Sequence, residues 1–327
     1  MKRVALKLLP FLLAIWFAAT GALAANWDMH IAWPEGNYHT EGAHRLAELV
    51  ADRTDGELTI TVHSGGALGF SGPEVLRLVR GGTVPIAEVF MENVLGDEPI
   101  FGLFALPLTT DHDEAWELYQ IARPYFEETL ERNNQLLLYS TPWAPQGLYT
   151  QVEVAAPGDF AGLSTRTAGE NLTRFVDELG ARALTIPFGE LYSALATGII
   201  NSVVTSPTTG VDASLWEVTD YFYPALIPNV PLNYTSVNLD AFSQLSPEAQ
   251  EALLEASAEI EQWLWETAQV RQAEAQQRLE DEGMTIVTDV SPELAEHIDS
   301  PVEGLVDTWV EEVGADAEAI LQEFGGQ

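Results

Sequence analysis

Arg166 closes the run Gly162-Leu163-Ser164-Thr165-Arg166, and a guanidinium fixed at the end of a strand-like segment calls for an anion. Its planar fork of paired N–H donors matches a carboxylate. Thr167 beside it, with Thr205 and Ser206 at the end of a later strand-like run, offers hydroxyls to the same anion. Trp33, Phe90 and Trp143 fall at other expected strand ends, Trp216 follows the Thr205 strand, and Asn233 opens a returning one. Such residues suit the walls of a small-molecule cleft. Enzyme signatures are missing: there is no G-x-S-x-G, no H-E-x-x-H and no cysteine, and the 6 histidines are scattered without ligand spacing. Neither a catalytic residue, a cofactor nor a metal is expected. Asp111-His112-Asp113-Glu114 lacks the glycine and distant glutamate of a calcium loop and reads as the acidic start of a helix. Gly65-Gly66-Ala67-Leu68-Gly69 lacks the spacing and the lysine of a phosphate cradle.

The elements around Arg166 alternate. Leu163 to Thr167 reads as a strand, Asn171 to Leu179 as a helix stopped by Gly180, Ala183 to Pro187 as a strand, Phe188 to Thr197 as a helix ended by Gly198, and Ile199 to Ser206 as a third strand. That order predicts parallel strands with ligand-facing loops at their carboxyl ends. The amino-terminal half repeats it, with strands at Trp27 to Trp33, Leu58 to Val62 and Val84 to Met91, a helix capped by Thr40, and another over Pro73 to Arg80. A helix from Asp111 to about Ile121 follows. Ser246-Pro247 opens a segment with no breaker before Gly283, about 55 Å long at ~1.5 Å per residue. Ile260, Leu264 and Val270 do not keep a heptad seam, so this helix is expected to span two lobes instead of entering a coiled coil.

Gly162-Leu163-Ser164-Thr165-Arg166 resembles the Gly-Leu-Lys-hydrophobic-Arg signature of the DctP family, the extracytoplasmic solute-binding subunits of TRAP transporters. Pro187-Phe188-Gly189-Glu190-Leu191-Tyr192 through Asn201 is similar to that family's second signature, and the likeness extends over nearly the whole chain. It implies an α/β, two-lobed periplasmic-binding-protein (Venus-flytrap) fold with a sheet flanked by helices in each lobe and one long helix spanning both. It also implies a small carboxylate ligand between the lobes and delivery to a permease of one small and one large membrane subunit, driven by an ion gradient. Two positions depart from the pattern. Thr205-Ser206-Pro207 stands where many members have Glu-Asn-Pro, and Gln146 to Tyr149 holds no second arginine, so the anion is expected to meet one arginine alone.

Met1 to Ala25 has the basic start, apolar run and Ala22-Leu23-Ala24 cleavage site of a secretory leader, which points to the periplasm. Lys2, Arg3 and Lys7 leave with it, so 11 of the 14 basic residues face all 50 acidic ones and the net charge moves from −36 to −39. Nucleic acid and anionic membrane are excluded as partners on that ground. Self-repulsion on this scale calls for screening, and the reading is a halophile's protein in brine. Lobe I is expected over 26–144 plus 233–270, and lobe II over 145–232 plus 271–327. Two other functions remain open: a ligand-presenting sensor, which the same cleft would serve, and a secreted hydrolase using a carboxylate pair.

Overall fold

Strands rich in β-branched and aromatic residues pair into two sheets, each covered by the helices that follow them in the chain. The computed structural model describes residues 24–70, 72–227 and 229–326, so the leader expected over Met1 to Ala25 lies outside the described residues through residue 23. The strands are β1 (Ala25–His30), β2 (Leu58–His63), β3 (Ile86–Phe90), β4 (Gln135–Pro142), β5 (Gln146–Thr150), β6 (Ser164–Thr167), β7 (Arg182–Thr185), β8 (Ser202–Thr205), β9 (Tyr221–Ile227), β10 (Leu232–Asn238) and β11 (Thr285–Ile286). The first sheet has the order β2-β1-β3-β10-β4, the second β11-β9-β5-β8-β6-β7. Within the strand-helix repeats the pairing is parallel, β1 with β2 and β3, and β6 with β7 and β8. β10 and β5 run antiparallel to their neighbours, because each arrives directly from the other sheet.

Those arrivals build the hinge. β4 continues into β5 through residues 143–145, and β9 into β10 through 228–231. The two crossings lie side by side, with Trp143 N–H donating to the Pro231 carbonyl at 2.8 Å and Gln146 N–H to that of Asn229 at 3.3 Å.

Helices α1 (Tyr38–Arg53), α2 (Glu74–Arg80) and α3 (His112–Arg132) serve the first sheet, and α4 (Glu170–Glu178), α5 (Leu191–Ala196) and α6 (Pro207–Asp212) the second. Asn37, not Thr40, caps α1: its Oδ1 accepts from the His39 N–H at 2.9 Å. Asp111 caps α3 and accepts from the N–H groups of Asp113 and Glu114, so the acidic run is a helix start. α3 passes its expected end near Ile121 and tolerates Pro124, because Leu118, Tyr119, Ala122, Phe126 and Leu130 keep one buried face.

After α7 (Leu239–Ser243) comes α8 (Pro247–Asp281), 35 residues capped by the Ser246 hydroxyl and released at Gly283, whose φ is +95°. Its first half joins the core of the first sheet through Leu253, Ile260 and Leu264, while Leu279 joins the core of the second. Gly42 admits this packing, since a Cβ there would stand 2.8 Å from Leu264. The last helices, α9 (Pro292–Asp299), α10 (Val302–Val313) and α11 (Ala315–Gly325), return across the molecule: the Trp309 indole donates to the Pro99 carbonyl at 2.9 Å, and α11 packs on α3. The tail expected in lobe II therefore also covers the first lobe.

β4 is one of the two edges of the first sheet, and α8 covers it with a carboxylate. Glu261, buried, accepts from the Ser140 N–H at 2.7 Å, the Ser140 hydroxyl at 2.9 Å and the Tyr119 hydroxyl at 2.8 Å, while Arg123 reaches its other oxygen at 2.6 Å. Removing it orphans all of these donors. Glu261→Ala is expected to lower stability by about 3 kcal/mol in urea denaturation; a loss under about 1 kcal/mol would show that water replaces the carboxylate.

Candidate functional site

A cavity of about 820 Å³ lies between the sheets at the ends of the crossing strands. Arg166, Thr205, Ser206, Trp143, Phe90, Trp33 and Asn233 all line it, so seven of the expected positions converge. A second groove of about 480 Å³, between the start of α3 and α8, has a lining of acids and amides with no arginine among the described residues. Its chemistry does not suit an anion.

Strand β6 places Arg166 beside Leu184 of β7 and Val203 of β8. The side chain is 5 % exposed and its Nε donates to the Ile186 carbonyl at 2.8 Å. That is its one hydrogen bond among the described residues, which leaves both Nη groups for a ligand. Burial lowers the Arg166 pKa to about 10, partly offset by the charge of Glu92, so the group stays cationic at neutral pH. Glu92 is buried nearby, and Gly169 makes its room: a Cβ there would stand 2.6 Å from the Glu92 carboxyl carbon. Burial raises the Glu92 pKa to about 7, against the Leu172 N–H, which donates to it at 3.2 Å, and against Arg166.

Two expected contacts fail. Thr167 does not line the cavity, because successive strand residues point to opposite faces; it is buried and its hydroxyl bonds that of Thr173 at 2.6 Å. Trp216 does not reach it either. After Thr205 the chain enters α6, which carries it away for more than a turn, and Trp216, half-buried, packs against the core of the second sheet with Arg278 5.8 Å from its ring. Ser206 lines the cavity but caps α6, accepting from the Thr209 N–H at 3.1 Å. Thr205 makes no side-chain hydrogen bond among the described residues, so its hydroxyl is the freer donor.

The aromatic wall rests on residues that were not anticipated. Glu88, whose side chain is wholly buried, takes three donors on one oxygen: Trp33 Nε1 at 2.8 Å, His39 Nδ1 at 2.8 Å and Asn233 Nδ2 at 2.5 Å. Asn233 in turn accepts from Trp143 Nε1 at 2.8 Å, and Trp143 stacks on His39 with centroids 4.0 Å apart. One buried carboxylate thus fixes both tryptophans. An acid between Ala87 and Val89 in an apolar strand was the available signal for it. Phe188 meets Trp33 edge-on at 5.9 Å, and Asn37 donates to Asp212 at 2.6 Å, so both lobes close on the cavity. Gln146 lines the cavity as well, on the hinge.

The Glu92 pKa makes a pH dependence. Between about pH 4.5 and 7 the folded chain keeps a proton that the unfolded chain has released, so stability falls as pH rises through that window. Urea denaturation of the wild type at about pH 5 and about pH 8 is expected to show a loss on the order of 3 kcal/mol greater than that of Glu92→Gln. Equal losses would mean that Glu92 titrates as an ordinary surface acid.

Comparison with known proteins agrees with this geometry. The DctP family profile, described as bacterial extracellular solute-binding protein, family 7, matches residues 29–309. The chain is similar to DctP7 of Bordetella pertussis, an extracytoplasmic solute receptor binding pyroglutamic acid, at 32 % identity and a TM-score of 0.89, over 92 % of this chain and 100 % of that one. A marine metagenome TRAP solute-binding protein specific for pyroglutamate follows at 30 % identity and 0.88, over 93 % and 100 %. A monocarboxylate 2-oxoacid-binding periplasmic protein of Nostoc is 27 % identical, the match covering 72 % of this chain and 65 % of that protein. An uncharacterized protein of Sinorhizobium fredii is matched over only 44 % of its length. With two lobes closing on a buried arginine and the profile spanning most of its length, the chain belongs to the DctP family of solute-binding receptors.

Proposed function

We propose that this chain is an exported, periplasmic receptor that binds a small monocarboxylic acid between its lobes and delivers it to a TRAP permease of one small and one large membrane subunit. The observation that carries this reading is Arg166, buried in the cleft with both Nη groups unused among the described residues. One arginine in the cavity lining supports a monocarboxylate over a dicarboxylate, and Trp33, Phe90, Trp143 and Phe188 support a compact, largely apolar body behind the carboxylate. Pyroglutamate, the ligand of receptors 30–32 % identical to this chain, is the first candidate. The acid favours the closed form by as much as it binds that form more tightly, and the receptor itself catalyses nothing.

A thermal-shift series in high salt with pyroglutamate, 2-oxo acids, dicarboxylates and uronates tests the reading. A ligand at 1,000 times its Kd adds about 4 kcal/mol, a rise of several degrees. Arg166→Ala is expected to weaken binding by about 2 to 5 kcal/mol, roughly 30-fold to a few thousand-fold. Equal responses from wild type and variant would reduce Arg166 to a structural cation. For the brine setting, the midpoint without ligand is expected to rise between about 0.1 M and 1 M NaCl, where the Debye length falls from ~10 to ~3 Å; a flat response would mean that the charge of the exported chain needs no screening.

A further inference from the structure

We propose that Glu92 is a proton-binding site linked to acid capture, so that the receptor takes up its ligand anion together with a proton from solvent. The inference rests on the monocarboxylate reading above and adds to it the charge balance of the cleft. Glu92 follows β3 of the first sheet, in the short helical turn Met91–Val94, and its Oε1 accepts at 3.2 Å from the Leu172 N–H of α4, which serves the second sheet. It is 6 % exposed, and Gly169 lets the start of α4 close over it, since a Cβ there would stand 2.9 Å from Oε1 and 2.6 Å from the carboxyl carbon. One backbone bond at the long end of the range is little for an ionised carboxylate, which has about four acceptor positions to fill. The pocket around Glu92 therefore favours its charge only narrowly.

What sustains that charge is Arg166 on β6. The other charged groups on neighbouring elements are turned elsewhere. Glu88 of β3 gathers Trp33, His39 and Asn233, Glu170 of α4 pairs with Arg174 at 2.8 Å, Asp97 pairs with Arg77 at 2.7 Å, and Glu98 accepts from the Asn133 amide at 2.7 Å. Arg166 commits its Nε to the Ile186 carbonyl and lines the cavity. A ligand carboxylate on its Nη groups draws on the same guanidinium and adds a like charge, and both effects favour protonated Glu92. The proton settles on a carboxylate oxygen of Glu92, while the ligand stays anionic and Arg166 cationic. The site is then neutral before capture, as guanidinium with Glu92, and neutral after it, as guanidinium with ligand, so no net charge is left in the dry cleft. Burial already raises the Glu92 pKa to about 7, and capture raises it further. Affinity is thus full below about pH 7 and falls as pH rises from there through the higher pKa of the bound state. His30 lines the cavity too, but burial holds its pKa below the ordinary imidazole value, so any uptake there belongs to lower pH.

Titration calorimetry of the mature chain in high salt with pyroglutamate and with pyruvate, at about pH 7.5 in Tris and in HEPES, tests the proposal on wild type, Glu92→Gln and His30→Gln. The two buffers differ in ionisation enthalpy, so the difference in heat counts protons. Wild type is expected to take up about half a proton per acid bound, and its Kd to rise about five- to tenfold between about pH 6.5 and 9, as a rise of about one unit in the Glu92 pKa gives. Glu92→Gln is expected to show no uptake and a nearly flat Kd over that range. Wild-type binding without uptake overturns the proposal, and that count needs no variant. Uptake kept in Glu92→Gln overturns it as well, and its loss in His30→Gln would give the proton to the imidazole. If wild type binds neither acid, the monocarboxylate reading fails and this inference with it; if it binds through Arg166 without uptake, only the role of Glu92 fails.

Discussion

Stripping the water from one guanidinium is the constraint around which the cleft is arranged. A buried cation carries a desolvation penalty of several kcal/mol unless charge of the opposite sign stands close by. Arg166 has Glu92 behind it, without a direct ion pair, and that acid is itself pushed towards the protonated state near neutral pH. The compensation from within the chain is incomplete by construction. A second anion in front of the guanidinium would complete it, and an acid placed there would gain more than the same acid at an exposed arginine.

Around that cation the two sheets have to meet without a rigid wall between them. The paired crossings at 143–145 and 228–231 make the lobes neighbours through two backbone strands, while α8 and the returning α10 and α11 bridge them from outside. Trp143, Gln146 and Asn233 sit on or beside the crossings, so wall and hinge are one piece of chain. Glu88 extends the same logic inward, since a buried carboxylate that gathers Trp33, His39 and Asn233 holds the wall's shape from within the protein.

Local signals made much of this legible. Arg166, the strand-helix alternation and the uninterrupted run after Ser246 are patterns within a few dozen residues, and period and capping chemistry read them directly. What escaped was relative orientation. Thr167 and Arg166 are adjacent in sequence yet face opposite sides of β6, and a strand of four residues, Ser164 to Thr167, is too short for its pattern to declare which side is which. Trp216 lost its place because α6 turns away in six residues, a direction no composition reveals. Glu88, His39 and Asn233 come from β3, α1 and β10, 194 positions apart at the extremes, so their meeting belongs to topology alone.

The acidity of the whole surface bears on how such a site is reached. With 50 carboxylates against 14 basic side chains, the field outside the cleft repels any anion that would approach Arg166 inside. At low ionic strength the two act over different ranges: the like-charge field extends about 30 Å at 0.01 M salt, whereas the guanidinium is felt only within the closed cavity. Screening shortens the first and barely touches the second, because a buried pair is shielded from mobile ions. Salt therefore lowers the barrier to approach while leaving the short-range attraction intact, and the same screening that relieves self-repulsion in so acidic a chain also eases the approach of anions to the cleft.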